Sequence, residues 1–283
     1  MLQYFINNKY QSIFADSSLP KIEYINKIDE SSSKIPRAMH MHKDLVEILF
    51  VYAGNGIHMI GQEQYITKKG DLIFYNSGVI HDETVSHQYK WGTYCLGVRN
   101  LKLKGLDVNT IISSDTCPVI HSGKFFDEIL HLFKLLEDNI SNKDDETTEF
   151  INYLSWGLIV KICQAIKLYK SPKQMKSMNL ASKVKNYIDK NYKEDINLEL
   201  IAKGTNANKY YLAHIFKNET GFSPMQYVTR RRIGEAQNLL IHTKMSITDI
   251  SASIGYNDSN YFQKVFHKNV GITPGYYRKK WLL

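Results

Sequence analysis

Between Ala181 and the C-terminus the chain carries one residue pattern twice, fifty positions apart. Tyr211, Leu212, Phe216, Gly221, Pro224 and Tyr227 recur as Tyr261, Phe262, Phe266, Gly271, Pro274 and Tyr277. A constant offset in such chemically special residue types requires two copies of one supersecondary unit, and two copies are too few for a solenoid. Each copy follows a short apolar helix and a turn, which is the outline of a helix-turn-helix.

Local signals delimit both units. After an opening helix from Ala181 to about Asn191, Asn197 is placed to cap Leu198–Lys203, Gly204–Ala207 form the turn, and Asn208 caps Lys209–Glu219 by accepting an orphan backbone N–H. Gly221 stands where a left-handed helix end is wanted. In the second copy Ser246-Ile247-Thr248-Asp249 reads as a capping box for a helix through Ile254. Gly255-Tyr256 forms the turn and Asn257 caps a helix to about Asn269. Helical spacing assigns Tyr211, Leu212, Ile215 and Phe216 to the core, with Tyr261, Phe262, Val265 and Phe266 as their counterparts. The outward faces are then Lys209, Tyr210, Ala213, His214 and Lys217, and Ser259, Asn260, Gln263, Lys264 and His267. Polar groups there suit base edges and cations suit phosphates. Pro224–His242 predicts one connecting helix of about nineteen residues, ~28 Å long, setting the recognition helices nearly one ~34 Å turn of duplex DNA apart. Of Arg230, Arg231 and Arg232 on that helix, one is expected to be used internally.

Charge agrees with this. Residues 171–283 hold 18 Lys+Arg and 8 Asp+Glu, whereas residues 1–170 hold 18 and 20, so the net +8 belongs to the C-terminal part. A basic segment beside a near-neutral one is an electrostatic footprint for double-stranded DNA. Cys95, Cys117 and Cys163 show no C-x-x-C spacing and fit a reducing, cytoplasmic setting. Residues 1–18 lack signal-peptide character, and no apolar run approaches the ~18 residues of a membrane span, so no membrane is expected as a partner.

The N-terminal part reads as short strands. Leu45–Tyr52 is an apolar strand ending at Gly54, Ile57–Ile60 and Gln64–Thr67 flank a hairpin at Gly61-Gln62-Glu63, and Leu72–Tyr75 and Trp91–Val98 follow. Such strands predict an antiparallel barrel or sandwich. Phe125 to Ile140 then keep helical spacing, and after a polar break at Ser141–Glu146 a second helix spans Phe150–Tyr169. That helix is apolar on more than one side, so it should bury one face inside the protomer and offer another to a second copy, through Leu158, Ile162 or Ile166. Residues 171–180 read as a linker. The expected architecture is α+β: a cupin-like antiparallel barrel with a two-helix dimerisation element in residues 1–170, the linker, and an all-α domain with two helix-turn-helix modules in residues 181–283.

The duplicated segment resembles the AraC/XylS family of bacterial transcription regulators over about Ala181–Lys280. The most specific residues are Ile247-Thr248-Asp249-Ile250-Ser251 through Gly255-Tyr256, Asn260-Tyr261-Phe262-Gln263-Lys264-Val265-Phe266, Gly271-Ile272-Thr273-Pro274 and Tyr277-Arg278. Ser251 stands where the family usually has alanine and Tyr256 where it has phenylalanine. The resemblance puts the base-reading positions at Tyr210, Ala213 and His214, and at Ser259, Asn260, Gln263 and Lys264, with His214 replacing a common arginine. It implies recruitment of RNA polymerase at a carbon-utilisation promoter, and an arm, Met1–Pro20, that closes over an effector pocket in some relatives.

His40-x-His42-x4-Glu47-x6-Gly54 and Gly70-x5-Asn76-x-Gly78-x2-His81 resemble the two signature motifs of a cupin barrel, with Lys34, Asn76 and Val85 as departures. Strand alternation puts His40 and His42 on one face, and Glu47 joins them only across a turn or bulge at Lys43-Asp44. Three imidazoles and a carboxylate are a donor set for Fe(II), Mn(II), Ni(II) or Zn(II). The sensory cupins of AraC-type regulators imply a different use, a pocket for a small effector such as a sugar. On that basis His40, His42, Glu47 and His81, with Tyr52 and Trp91 among the aromatic candidates Tyr65, Tyr75 and Tyr94, are the expected effector-binding residues. No catalytic residue, metal or cofactor is expected. The alternatives are a metal-dependent cupin enzyme or metal sensor joined to a DNA-binding domain, and an architectural DNA binder without an effector.

Overall fold

A computed structural model describes residues 3–4, 9–15, 20–29, 37–61, 63–84, 90–169 and 180–281. The linker of residues 171–180 lies outside these except for Leu180, as do Lys34 and Val85.

Eight described strands form the N-terminal part: β1 (Lys21–Ile28), β2 (Arg37–His40), β3 (Leu45–Ile60), β4 (Glu63–Lys68), β5 (Asp71–Tyr75), β6 (His81–Thr84), β7 (Trp91–Arg99) and β8 (Val119–His121). All pair antiparallel. The N-terminal half of β3 lies in a sheet ordered β1-β7-β3-β5-β8, and its C-terminal half pairs with β4 and with β6, which also pairs with β2. The strand expected to end at Gly54 therefore continues to Ile60. It bends instead of stopping, with a register shift between Val51 and Ala53 and φ +69° at Gly54. A side chain at Gly54 would meet the Lys90 carbonyl, 1.8 Å from an added Cβ, so only glycine allows the corner.

Alternation along β3 sorts the core. Val46, Ile48 and Phe50 join Leu72, Phe74, Tyr94 and Leu96 against two helices, whereas Leu49 and Val51 join Ile73, Tyr75 and Cys95 on the opposite face. The strand is buried on both sides, which explains its unbroken apolar composition. The helices are α1 (Phe126–Asn139) and α2 (Asp145–Leu168). Phe133 of α1 stacks on Phe50 and Tyr94 at interplanar angles of 5° and 11°. Asp144 caps α2 by accepting from Thr147 N, so the helix starts five residues before the expected Phe150. Leu158 and Ile162, two of the three expected outward residues, are fully buried under the sheet. The apolar stripe left outside is Phe150, Tyr153 and Leu168, 44%, 57% and 62% exposed. In the N-terminal arm, Ile13 and Phe14 pack on the helix-covered core and pair with residues 102–104.

The C-terminal part is helical: α3 (Leu180–Asn191), α4 (Leu198–Gly204), α5 (Lys209–Thr220), α6 (Pro224–His242), α7 (Ile247–Ser253), α8 (Ser259–Val270) and α9 (Pro274–Trp281). Asn197, Asn208 and Ser246 cap α4, α5 and α7, each contributing about 1 kcal/mol, and Gly221 and Gly271 end α5 and α8 in the left-handed region. The cap of α8 is Asp258, one residue after the expected Asn257; its carboxylate accepts from Asn260 N and Tyr261 N. At α6 a reciprocal capping box of Ser223 and Gln226 precedes the Pro224 start. Arg278 donates to the Leu240 and Met245 carbonyls and so ties α9 to the end of α6.

Candidate functional site

The two helix-turn-helix units expose equivalent faces. In α5, Leu212 and Phe216 are buried, and Tyr210, His214 and Lys217 face outward with Ala213 half-buried; in α8, Phe262 and Phe266 are buried beneath Asn260, Lys264 and His267, with Ser259 and Gln263 half-buried. Lys209 is engaged by Glu199 of the preceding helix at 2.8 Å. Tyr211 and Tyr261 were expected in the core, but they are 61% and 58% exposed. Their neighbours Leu212 and Phe262 already fill the buried line. The outward tyrosines extend both faces with a ring and a hydroxyl, a feature that apolar periodicity alone misassigns.

All three arginines of α6 are used internally, where one was expected. Arg231 is fully buried: its Nε lies 2.9 Å from Asp189 of α3 and its Nη1 donates to the Met39 carbonyl at 2.8 Å. Arg232 donates to the Tyr192 and Glu194 carbonyls. Arg230 pairs with the fully buried Asp82 of β6 at 2.5 Å. Thus α6 packs on the barrel. Ala38 N–H donates to Gln237 Oε1 at 2.7 Å, and Gly234 lies so close to β2 that an added Cβ would be 1.8 Å from the Met39 oxygen. Met39 shares the core of the first helix-turn-helix and Ala38 that of the second.

The strand that makes this joint also begins the second site. β2 ends at His40, the chain turns through residues 41–44, and Glu47 enters from β3 while His81 opens β6 directly opposite His40. One potential ligand atom from each of His40, His42, Glu47 and His81 lies within 4.8 Å of the others. Glu47 is 1% exposed. Its Oε1 accepts from Tyr24 OH at 2.5 Å and from Cys95 Sγ at 3.6 Å; its Oε2 lies 2.8 Å from His81 Nε2 and 3.3 Å from His42 Nε2. The Nδ1 atoms of His40 and His81 each stand 2.9 Å from a backbone carbonyl oxygen, of Ala38 and Val79.

The aromatic residue at the cluster is Tyr75, stacked on His81 with centroids 3.8 Å apart. Tyr52 is instead turned to the helix-covered face, against Tyr94 and with its hydroxyl on Asp29, because its even position in β3 opposes that of Glu47. Trp91 lies beside His58, one step removed from the cluster. Sequence reasoning missed His58. It is fully buried, its Nδ1 is 3.0 Å from Tyr75 OH, and desolvation, aided by His81, lowers its pKa from 6.5 to about 3. A lone histidine in an apolar strand carries no signal that sets it apart.

Residues 201–280 match the family model of a helix-turn-helix domain, and residues 28–152 match that of an AraC-like ligand binding domain. The chain belongs to the AraC/XylS family of transcription regulators. Among relatives, the HTH-type transcriptional regulator YdiP of Escherichia coli is 26% identical over 99% of this chain and 93% of its own length. The lactose operon transcription activator of Staphylococcus xylosus is 26% identical over 81% of each chain. Among solved structures, the C-terminal domain of AraT, a response regulator from Geobacillus stearothermophilus, is 31% identical over 36% of this chain and 84% of that one, with a TM-score of 0.35. In this AraC-type regulator the N-terminal barrel is thus the ligand-binding part and the helical part binds DNA. No described helix is long and apolar enough to cross a membrane.

Proposed function

We propose that the chain is an effector-controlled transcription activator whose effector site is the His40, His42, Glu47 and His81 cluster, and which has no catalytic turnover. The observation that carries this is the double use of β2. The strand presents His40 to the cluster while Ala38 and Met39 contact α6, the helix between the two DNA-reading units. An effector that binds one arrangement of this strand better than another shifts the population of α6 positions, and with it the spacing of the recognition helices. Tyr210, Ala213 and His214 of α5 and Ser259, Asn260, Gln263 and Lys264 of α8 read base edges, while Lys209, Lys217 and His267 supply phosphate contacts. The outward stripe of α2 joins two copies, and the DNA-bound dimer recruits RNA polymerase at a carbon-utilisation promoter in the cytoplasm.

The test is a promoter-reporter and DNA-binding comparison of His81→Ala with the parent. The variant is expected to lose the response to inducing growth conditions while its effector-free DNA affinity stays within about twofold. Loss of both in a folded variant, or retention of both, speaks against an effector site here.

A further inference from the structure

We propose that His40, His42, Glu47 and His81 hold a divalent transition-metal ion, and that this ion is what the joint between β2 and α6 senses. The proposal rests on the assignment of this cluster as the effector site, and it replaces the metal-free pocket expected from the sequence.

The hydrogen bonds decide the donor atoms. A backbone carbonyl only accepts, so Nδ1 of His40 and of His81, each 2.9 Å from one, carries the proton. A neutral imidazole has a single N–H, which leaves Nε2 as a lone pair. His81 Nε2 nevertheless lies 2.8 Å from Glu47 Oε2, a second acceptor. A lone pair against a carboxylate oxygen in a buried site repels unless a cation sits between them. Glu47 is oriented for that role, since Tyr24 and Cys95 hold Oε1 and leave Oε2 to the cluster. Carbonyl-anchored imidazoles and a tethered carboxylate are the outer-shell arrangement of metal ligands.

Size and donor type point the same way. Ligand atoms around one ion with bonds of about 2.1 Å lie ~3.0–3.4 Å apart, and the observed 2.8 and 3.3 Å from Glu47 need little adjustment. Three nitrogens and one oxygen favour zinc, nickel, cobalt or iron(II) over magnesium or calcium. The cavity that His40 lines with Gly234 and Gln237 has about 10 Å³, room for a water but not a sugar. Beyond the cluster, the His42 ring lies 6.3 Å from His242, in the last turn of α6, whose Nδ1 is 3.0 Å from its own helix carbonyl at Asn238. The negative end of the α6 dipole thus faces the same corner, where a cation is favoured.

The experiment uses the full chain stripped with a chelator, titrated with zinc by calorimetry and with cobalt(II) by visible absorption. The expected result is about one equivalent of either ion, with bands of imidazole-coordinated cobalt. Affinity should fall roughly 100-fold or more in Glu47→Gln, and likewise in His42→Ala, whose partly exposed site spares the core. Zinc should also change promoter affinity in the parent and leave it unchanged in both variants. Failure of zinc, cobalt and nickel to bind the parent, or equal binding by the variants, overturns the metal. If an organic effector then still acts through His81, the assignment of the site stands without the ion; if neither metal nor effector response depends on these four residues, both fall.

Discussion

Two side chains tie local chemistry to the behaviour of this regulator. Gly234 is a helix-interior glycine, and alanine there ordinarily gains about 0.5–1 kcal/mol of helix stability. Here an added Cβ would meet the Met39 carbonyl at 1.8 Å, and such overpacking costs about 1–3 kcal/mol, so the clash wins. Gly234→Ala should lower full-chain stability in urea and weaken the effector response, whereas a gain in stability would show that β2 and α6 are not clamped. His58 sets a pH dependence. Its pKa of about 3 in the fold lies below the unfolded 6.5, so the unfolded chain binds the extra proton and stability falls as pH drops below about 6.5. Between pH 7.5 and 5 this group alone should cost about 2 kcal/mol. Denaturation at the two pH values should show that loss reduced in His58→Gln.

Among the elements, α2 shows what periodicity reveals and what it conceals. Its apolar excess was visible in the sequence, but a single chain cannot tell which stripe the barrel takes. The sheet takes Leu158 and Ile162, and Phe150, Tyr153 and Leu168 remain outside. Tyr153→Glu should therefore give folded monomers, and Leu158→Glu should unfold the domain; sedimentation of the parent as a monomer at micromolar concentration would remove the dimer. The helix-turn-helix units were legible almost to the residue because caps and glycine ends are local signals. What failed there was local too: Asp258 outcompeted Asn257 as a cap, and Tyr211 and Tyr261 lie at the edge of the buried stripe. The convergence of His40, His42, Glu47 and His81 was foreshadowed by two-part motif spacing. The passage of β3 through Gly54 was not, since a bent strand and a stopped one look alike in sequence. The packing of β2 on α6 was hidden altogether: Ala38 and Gln237 stand 199 residues apart, and no periodicity links them.

At the scale of the whole molecule, the positive charge of the C-terminal part divides into two populations. The three consecutive arginines of α6 are committed to Asp82, Asp189 and backbone carbonyls, so they add little to phosphate binding although they dominate the sequence visually. Lys264 is exposed on α8, and Lys217 is exposed on α5. DNA affinity should fall steeply with salt, with a slope of about 0.9 per phosphate neutralised. If the division is right, Lys217→Ala should reduce that slope by about 1 at equal cost for specific and scrambled duplexes. Gln263→Ala should leave the slope alone and cost about 1–3 kcal/mol on the specific duplex only. Arg230→Ala should change neither slope nor discrimination, yet it strips Asp82 of its partner across the joint and so should weaken the coupling between effector and DNA. Anisotropy titrations from 50 to 200 mM salt, with and without effector, separate the three outcomes. A slope reduced by Arg230→Ala would mean that α6 leaves the barrel and meets the phosphates itself.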